Sequence, residues 1–154
     1  MSPAARSPAL ASKIATMRLK ICPIVSVMCG QASEHFPGTM LEFWLLTEAQ
    51  LDGMAHFYSQ STPDEFTNLY PRPMKWDKDF LSTATPKAMS SREKRYRLNI
   101  QDRMAIKRRK FAKFIGMRGC ETPGWEVRAH LRALESRIMR IVEEEERTLK
   151  RKRC

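Results

Sequence analysis

From residue 127 onward, apolar side chains return at intervals of four, three, four and three: Val127, Leu131, Leu134, Ile138 and Ile141. Intervals that alternate between three and four put these residues on one stripe of an α-helix, the narrow seam of helix-on-helix packing. The repeat lasts only about two heptads, short of a self-sufficient coiled coil, so it predicts one arm of an antiparallel helical hairpin. Glu143–Arg147 and Glu146–Lys150 add i,i+4 support farther along. The other arm lies upstream. Tyr96, Ile100, Met104, Phe111, Phe114 and Ile115 fall within roughly 100° on a helical wheel, predicting a helix from Pro86 or Ser91 to Ile115 with this stripe in the core. Gly116 or Gly119 supplies a left-handed stop. Thr122-Pro123 restarts helix with a hydroxyl cap and a proline in the first turn.

The chain before the hairpin has a different texture. Thr47-Glu48-Ala49-Gln50 reads as a capping box, and Leu51, Met54, Ala55 and Tyr58 mark one face of a short helix ending near Gln60. Ser61-Thr62-Pro63-Asp64-Glu65 predicts a second helix start, which Tyr70-Pro71-Arg72-Pro73 soon forces into extended chain. Asp77 is placed to cap one more turn through Phe80 and Leu81. Phe43, Trp44, Phe57, Tyr58, Phe66, Tyr70, Trp76 and Phe80 crowd this stretch and are expected to fill a small core.

Residues 1–39 show no comparable packing pattern and are expected to form a disordered basic tail rich in Ala and Ser. Leu10, Ile14, Met17 and Ile21 fall at helical spacing with Lys13, Arg18 and Lys20 off the stripe, the composition of a mitochondrial targeting segment. A secretory signal built on the apolar run 21–29 is the competing reading, and a tail without a targeting role is the third. The fold expected is therefore all-α: short aromatic-rich helices over 40–81 packed on a long basic antiparallel hairpin over 86–150, one helical domain spanning 40–154.

Charge changes the picture more than composition does. Of a net +11, residues 82–119 alone carry twelve cations and two acids, whereas residues 34–81 carry eight acids and three cations. Between Asp102 and Glu121 stand seven cations and no acid, unlike a soluble face that intersperses both signs. Arg92, Arg95, Arg103, Lys110 and Lys113 share one side of the helix beside the apolar stripe, Lys107 lies at its edge, and Arg108, Arg109 and Arg118 flank it. Cations held in line on a rigid helix suit phosphates, because contact releases counterions. The first functional expectation is therefore a non-enzymatic protein that binds nucleic acid or nucleoprotein through residues 92–118. A solvated face, or a dock for an acidic protein surface (the chain's own acidic third included), is the plainer reading of the same residues.

The second expectation uses the seam: Val127, Leu131, Leu134, Ile138 and Ile141 would pair with a helical partner or a second copy. An enzyme is a distant third. Asp52–His56 and Glu126–His130 are i,i+4 pairs that could orient an imidazole or share a metal with Cys120, but such pairs are far more often surface hydrogen bonds. There is no phosphate loop, no HExxH and no nucleophile elbow, so no catalytic residue, metal or cofactor is expected. Cys22, Cys29, Cys120 and Cys154 contain no CxxC pair and fit reduced thiols of an intracellular protein. No apolar run approaches the ~18 residues that span a bilayer. The clusters Lys107–Lys110 and Lys150–Arg153 each satisfy the loose pattern of a nuclear-import signal, pointing to nucleus or cytoplasm, with mitochondria as the alternative. The segment 114–125 (FIGMRGCETPGW) is motif-like without an assignable role, and the tight turn Arg118–Trp125 within it is expected to set the angle between the two long helices.

Overall fold

The computed structural model describes residues 7–83, 94 and 96–153. Regular structure among them is helical: α1 (Pro8–Met17), α2 (Met40–Leu45), α3 (Glu48–Phe57), a 3-10 turn at Thr67–Leu69, α4 (Ile100–Phe114) and α5 (Gly124–Arg153). One isolated antiparallel bridge joins Lys20 to Thr39, and no strand occurs among the described residues. The chain divides into two compact units, Met1–Trp76 with Lys110–Arg118, and Asp77–Arg109 with Gly119–Cys154.

The first unit is organised by α3 and the last turn of α4. Thr47 caps α3 as its spacing predicts: the Thr47 hydroxyl accepts from the Gln50 N–H and the Gln50 amide oxygen accepts from the Thr47 N–H. Leu51, Met54, Ala55 and Tyr58 then point inward and are fully buried. Against them stand Phe43 of α2, Tyr70, Met74 and Trp76 of the following loop, and Phe111, Ala112 and Phe114 of α4, all buried. The rings form a continuous set: Phe114 lies 5.2 Å from Tyr58 and 5.3 Å from Tyr70, while Phe111 lies 6.0 Å from Phe36 and 6.3 Å from Phe43. Rings of this size supply most of the apolar burial available to a small core. Gly116 ends α4 at φ +87, a conformation that a side chain would strain.

Two expectations fail in this unit. The helix restart at Ser61–Glu65 is absent. Asp64 instead accepts from the Phe66 N–H at 2.9 Å, and the Thr67 hydroxyl donates to the Ser59 carbonyl at 2.7 Å, so side chains hold a turn that continues only into the 3-10 turn at Thr67–Leu69. Gln60 completes it from the inside, donating to the carbonyls of Tyr58 and Thr67 and accepting from the Met74 N–H. The disordered tail assigned to 1–39 is the other failure. Residues 1–6 lie outside the described residues, but from Leu19 onward the chain belongs to the fold. Ile21 N–H donates to Gly38, Met40 N–H to Leu19, and Val27 N–H to the Tyr70 hydroxyl. The Tyr58 hydroxyl accepts from Ser33 N–H and donates to the Ile24 carbonyl at 2.7 Å. Polar backbone bonded to buried tyrosines carries no apolar period, so pattern alone could not reveal this packing. Burial pushes the Tyr58 phenol above its ordinary pKa.

The second unit holds the remainder of α4 and all of α5. α4 starts at Ile100, later than expected, because residues 97–99 are not helical. Asn99 is the cap: its Oδ1 accepts from the Asp102 N–H at 2.7 Å and its Nδ2 donates to the Asp102 carboxylate at 2.8 Å. The predicted starts at Pro86 and Ser91 lie outside the described residues. The predicted core stripe is also displaced. Ile100 is exposed, and Ile106 and Lys107 are the buried positions ahead of Phe111. Asp77 does cap its turn, accepting from the N–H groups of Asp79 and Phe80.

Candidate interaction surface

α5 is 30 residues long and packs with an unexpected face. Glu126 and Ser136 are buried, and Ala129, His130, Ala133 and Arg137 are half-buried. These lie roughly 120° around the helix from the apolar stripe. Specific partners hold them. Arg109 Nε donates to Glu126 Oε2 at 2.8 Å, a second guanidinium N–H donates to Oε1, and the third nitrogen donates to the Cys120 carbonyl at 3.2 Å. His130 Nε2 lies 3.4 Å from Asp77 Oδ2 with its ring 4.7 Å from that of Phe80, and Arg137 reaches Asp79 at 3.3 Å. Small side chains let the helix approach, and charged ones tie it down.

The seam is left outside. Val127, Leu131, Leu134, Ile138 and Ile141 are between 36% and 59% exposed. Val142 and Leu149 extend the same stripe and are exposed as well. This corrects the expected hairpin, whose inner face was to be this seam. Equal periodicity would serve an inner or an outer face, and the polar side won because Glu126, His130 and Arg137 each find an opposite charge or dipole in their own unit. Every residue from Ile138 to Lys152 is exposed, a length of about 22 Å at 1.5 Å per residue. Exposed i,i+4 pairs support that segment, Arg140–Glu144 at 4.0 Å and Glu143–Arg147 at 3.9 Å, and the Thr148 hydroxyl donates to the Glu144 carbonyl at 2.9 Å. An isolated helix of about 15 residues is marginal in water, so packing on the apolar stripe is what this segment lacks.

The cationic residues expected to meet a polyanion are not presented together. Arg92 and Arg95 lie outside the described residues. Arg103 turns back to the Leu98 carbonyl at 3.4 Å. Lys107 is 1% exposed and Arg108 half-buried, so neither offers its charge on an open surface. Arg109 is committed to Glu126, and Lys110 Nζ donates to the Lys75 carbonyl at 2.8 Å. Lys113 and Arg118 are exposed. The cationic stripe thus contributes hydrogen bonds to its own chain along much of its length. The acidic third does meet basic side chains of the same chain, but on α5, through Asp77 with His130 and Asp79 with Arg137. The C-terminal cluster Lys150–Arg153 lies on the last turn of α5.

The residues considered for metal or acid–base chemistry are also occupied otherwise. His130 faces Asp77 in place of Glu126, and His56 Nδ1 faces the Thr62 hydroxyl at 3.5 Å. Among the described residues no cluster of three or more His, Cys, Asp or Glu side chains is placed to hold a metal ion. Cys22 and Cys29 are exposed and Cys120 is half-buried, and none of the three is in a disulfide. No described helix is long and apolar enough to cross a membrane. Comparison of the chain with protein-family models, with curated proteins and with solved structures gives no match.

Proposed function

We propose that this chain is a non-enzymatic interaction module that presents the apolar stripe of α5 to a helical partner. The observation that carries the reading is the choice of face: α5 is fastened by Glu126, His130 and Arg137 while Val127, Leu131, Leu134, Ile138 and Ile141 stay in solvent. Leaving five heptad-spaced aliphatic residues in water costs free energy that a partner helix would recover, at roughly 25 cal/mol per Å² of apolar surface covered. The i and i+3/i+4 spacing suits a helix rather than an extended peptide as the occupant. Polyanion binding through residues 92–118 retains Lys113 and Arg118 as exposed cations and is the weaker reading. The compartment that goes with an interaction module is the nucleus or cytoplasm, with Lys150–Arg153 as an import signal.

A photo-crosslinking side chain placed at Ile138 in cells tests this, with Glu143 as the control. The two are separated by roughly 140° on the helix, and both are exposed. Protein adducts from position 138 and none from 143 are expected. Equal labelling from both positions, or none from 138, overturns the proposal.

A further inference from the structure

The geometry points to a second copy of the same chain, laid antiparallel along α5, as the occupant of the stripe. This deepens the interaction-module reading and rests on it. α5 is segregated by charge along its length. Arg128 and Arg132 lie in its early turns, Glu143, Glu144, Glu145 and Glu146 form an unbroken acidic block, and Arg147 with Lys150–Arg153 closes it. An acidic block two and a half turns beyond the centre of an apolar stripe needs cations at the matching distance on whatever lies across it.

Self-pairing supplies them in one orientation only. In a parallel, in-register pair, Glu145 falls in the seam itself and meets Glu145 of the second copy, and Lys152 meets Lys152. Like charges facing each other within an apolar seam are strongly unfavourable. Reversing one helix removes both clashes. When Leu134 packs on the second copy's Ile138, Leu131 packs on its Ile141 and Val127 reaches its Glu145. Four aliphatic layers then form the centre, and the two glutamates move to the ends, next to solvent. In the same register Arg128 lies beside the second copy's Glu146 and His130 beside its Glu144, each contact occurring twice by symmetry. Arg137 and Glu135 each approach their own symmetry mates on the flanks of the centre, outside the apolar seam, and each copy's Arg137 is held by Asp79. The segment 138–152, without apolar cover within the chain, thereby gains a partner over its whole acidic block.

Sedimentation equilibrium of the full chain with reductant present tests the proposal. The wild type should be dimeric at tens of micromolar, and Leu134→Lys with Ile138→Lys should be monomeric. Charge reversal gives the orientation without touching the apolar residues. Arg128→Glu and Glu146→Arg should each weaken self-association by about tenfold, through two reversed contacts per dimer. An equimolar mixture of the two variants should associate as the wild type does, because both 128–146 contacts become attractive again in the mixed pair. Three results overturn the inference: a wild type monomeric at 100 µM or so, a dimer indifferent to the two seam lysines, or a mixture that fails to recover. A monomeric chain that still crosslinks another protein through position 138 would sink self-pairing alone and leave the interaction-module reading standing.

Discussion

Removing Glu126 separates two readings of Arg109, a tether for α5 or a cation held ready for phosphate. The pair is nearly dry, with side-chain exposures of 15% for Arg109 and 6% for Glu126. In Glu126→Ala the guanidinium loses both carboxylate oxygens and keeps only the Cys120 carbonyl. Stranding one member of a buried pair costs about 3–5 kcal/mol, and the residual access of water to Arg109 puts the expected loss near the lower figure. For a chain of this length about 3 kcal/mol lowers the melting midpoint by roughly 6–12 °C. Hydrogen exchange of the α5 amides over 124–137 should accelerate together, since the helix loses its first fastening. Exchanging the pair for apolar side chains of similar size, Arg109→Met with Glu126→Leu, should return stability to within about 1 kcal/mol of wild type. Circular dichroism during thermal and guanidinium unfolding measures all three chains. A loss below 1 kcal/mol in Glu126→Ala, or a double variant no better than the single, would refute the tether.

Two further perturbations probe the first unit. Tyr58→Phe keeps the ring against Phe114 and deletes the hydroxyl that accepts from Ser33 and donates to Ile24, so it should cost about 1–3 kcal/mol and expose residues 24–33 to proteolysis; an unchanged midpoint and cleavage pattern would show that the segment is not held there. The Ser59 hydroxyl, followed by the Phe66 N–H, holds the Asp64 carboxyl below its ordinary pKa of 3.8, so its contribution to stability is present above that value and fades as pH falls through the lower, folded one. Asp64→Asn should lower stability in the neutral region and flatten the acid limb of the stability–pH curve below about pH 4, so that the variant and wild type converge in acid; an unaltered limb contradicts the assignment.

Helix class was legible at most places where a local signal was complete within one turn, the cap and proline at Ser61–Glu65 excepted. The Thr47–Gln50 box, the Asp77 turn and the Gly116 stop each close their bonds within four residues, and each is found. The interruption at 97–99 was equally local, and Asn99 three residues before Asp102 was the signal that could have revealed it. The site was less legible because its decisive contacts are long-range. Arg109 meets Glu126 across seventeen residues, and Asp77 meets His130 across fifty-three. Periodicity showed that α5 has an apolar stripe but not which face its own unit would cover. Charge counting likewise located seven cations between Asp102 and Glu121 but not the carbonyls and the carboxylate that engage several of them.

The central claim, that the stripe of α5 is a docking face and not core, is tested most directly by polar replacement in dilute protein. Leu131→Gln, Leu134→Gln, Ile138→Gln and Ile141→Gln are combined in one chain and unfolded alongside wild type at a concentration where sedimentation shows both to be monomeric. Exposed positions change stability by no more than about 0.5 kcal/mol each, so the account predicts a quadruple variant within about 2 kcal/mol of wild type, with its helix content retained. Loss of about 2–5 kcal/mol per replaced residue, or failure to fold, would show that the stripe is buried in the monomer and would contradict the account.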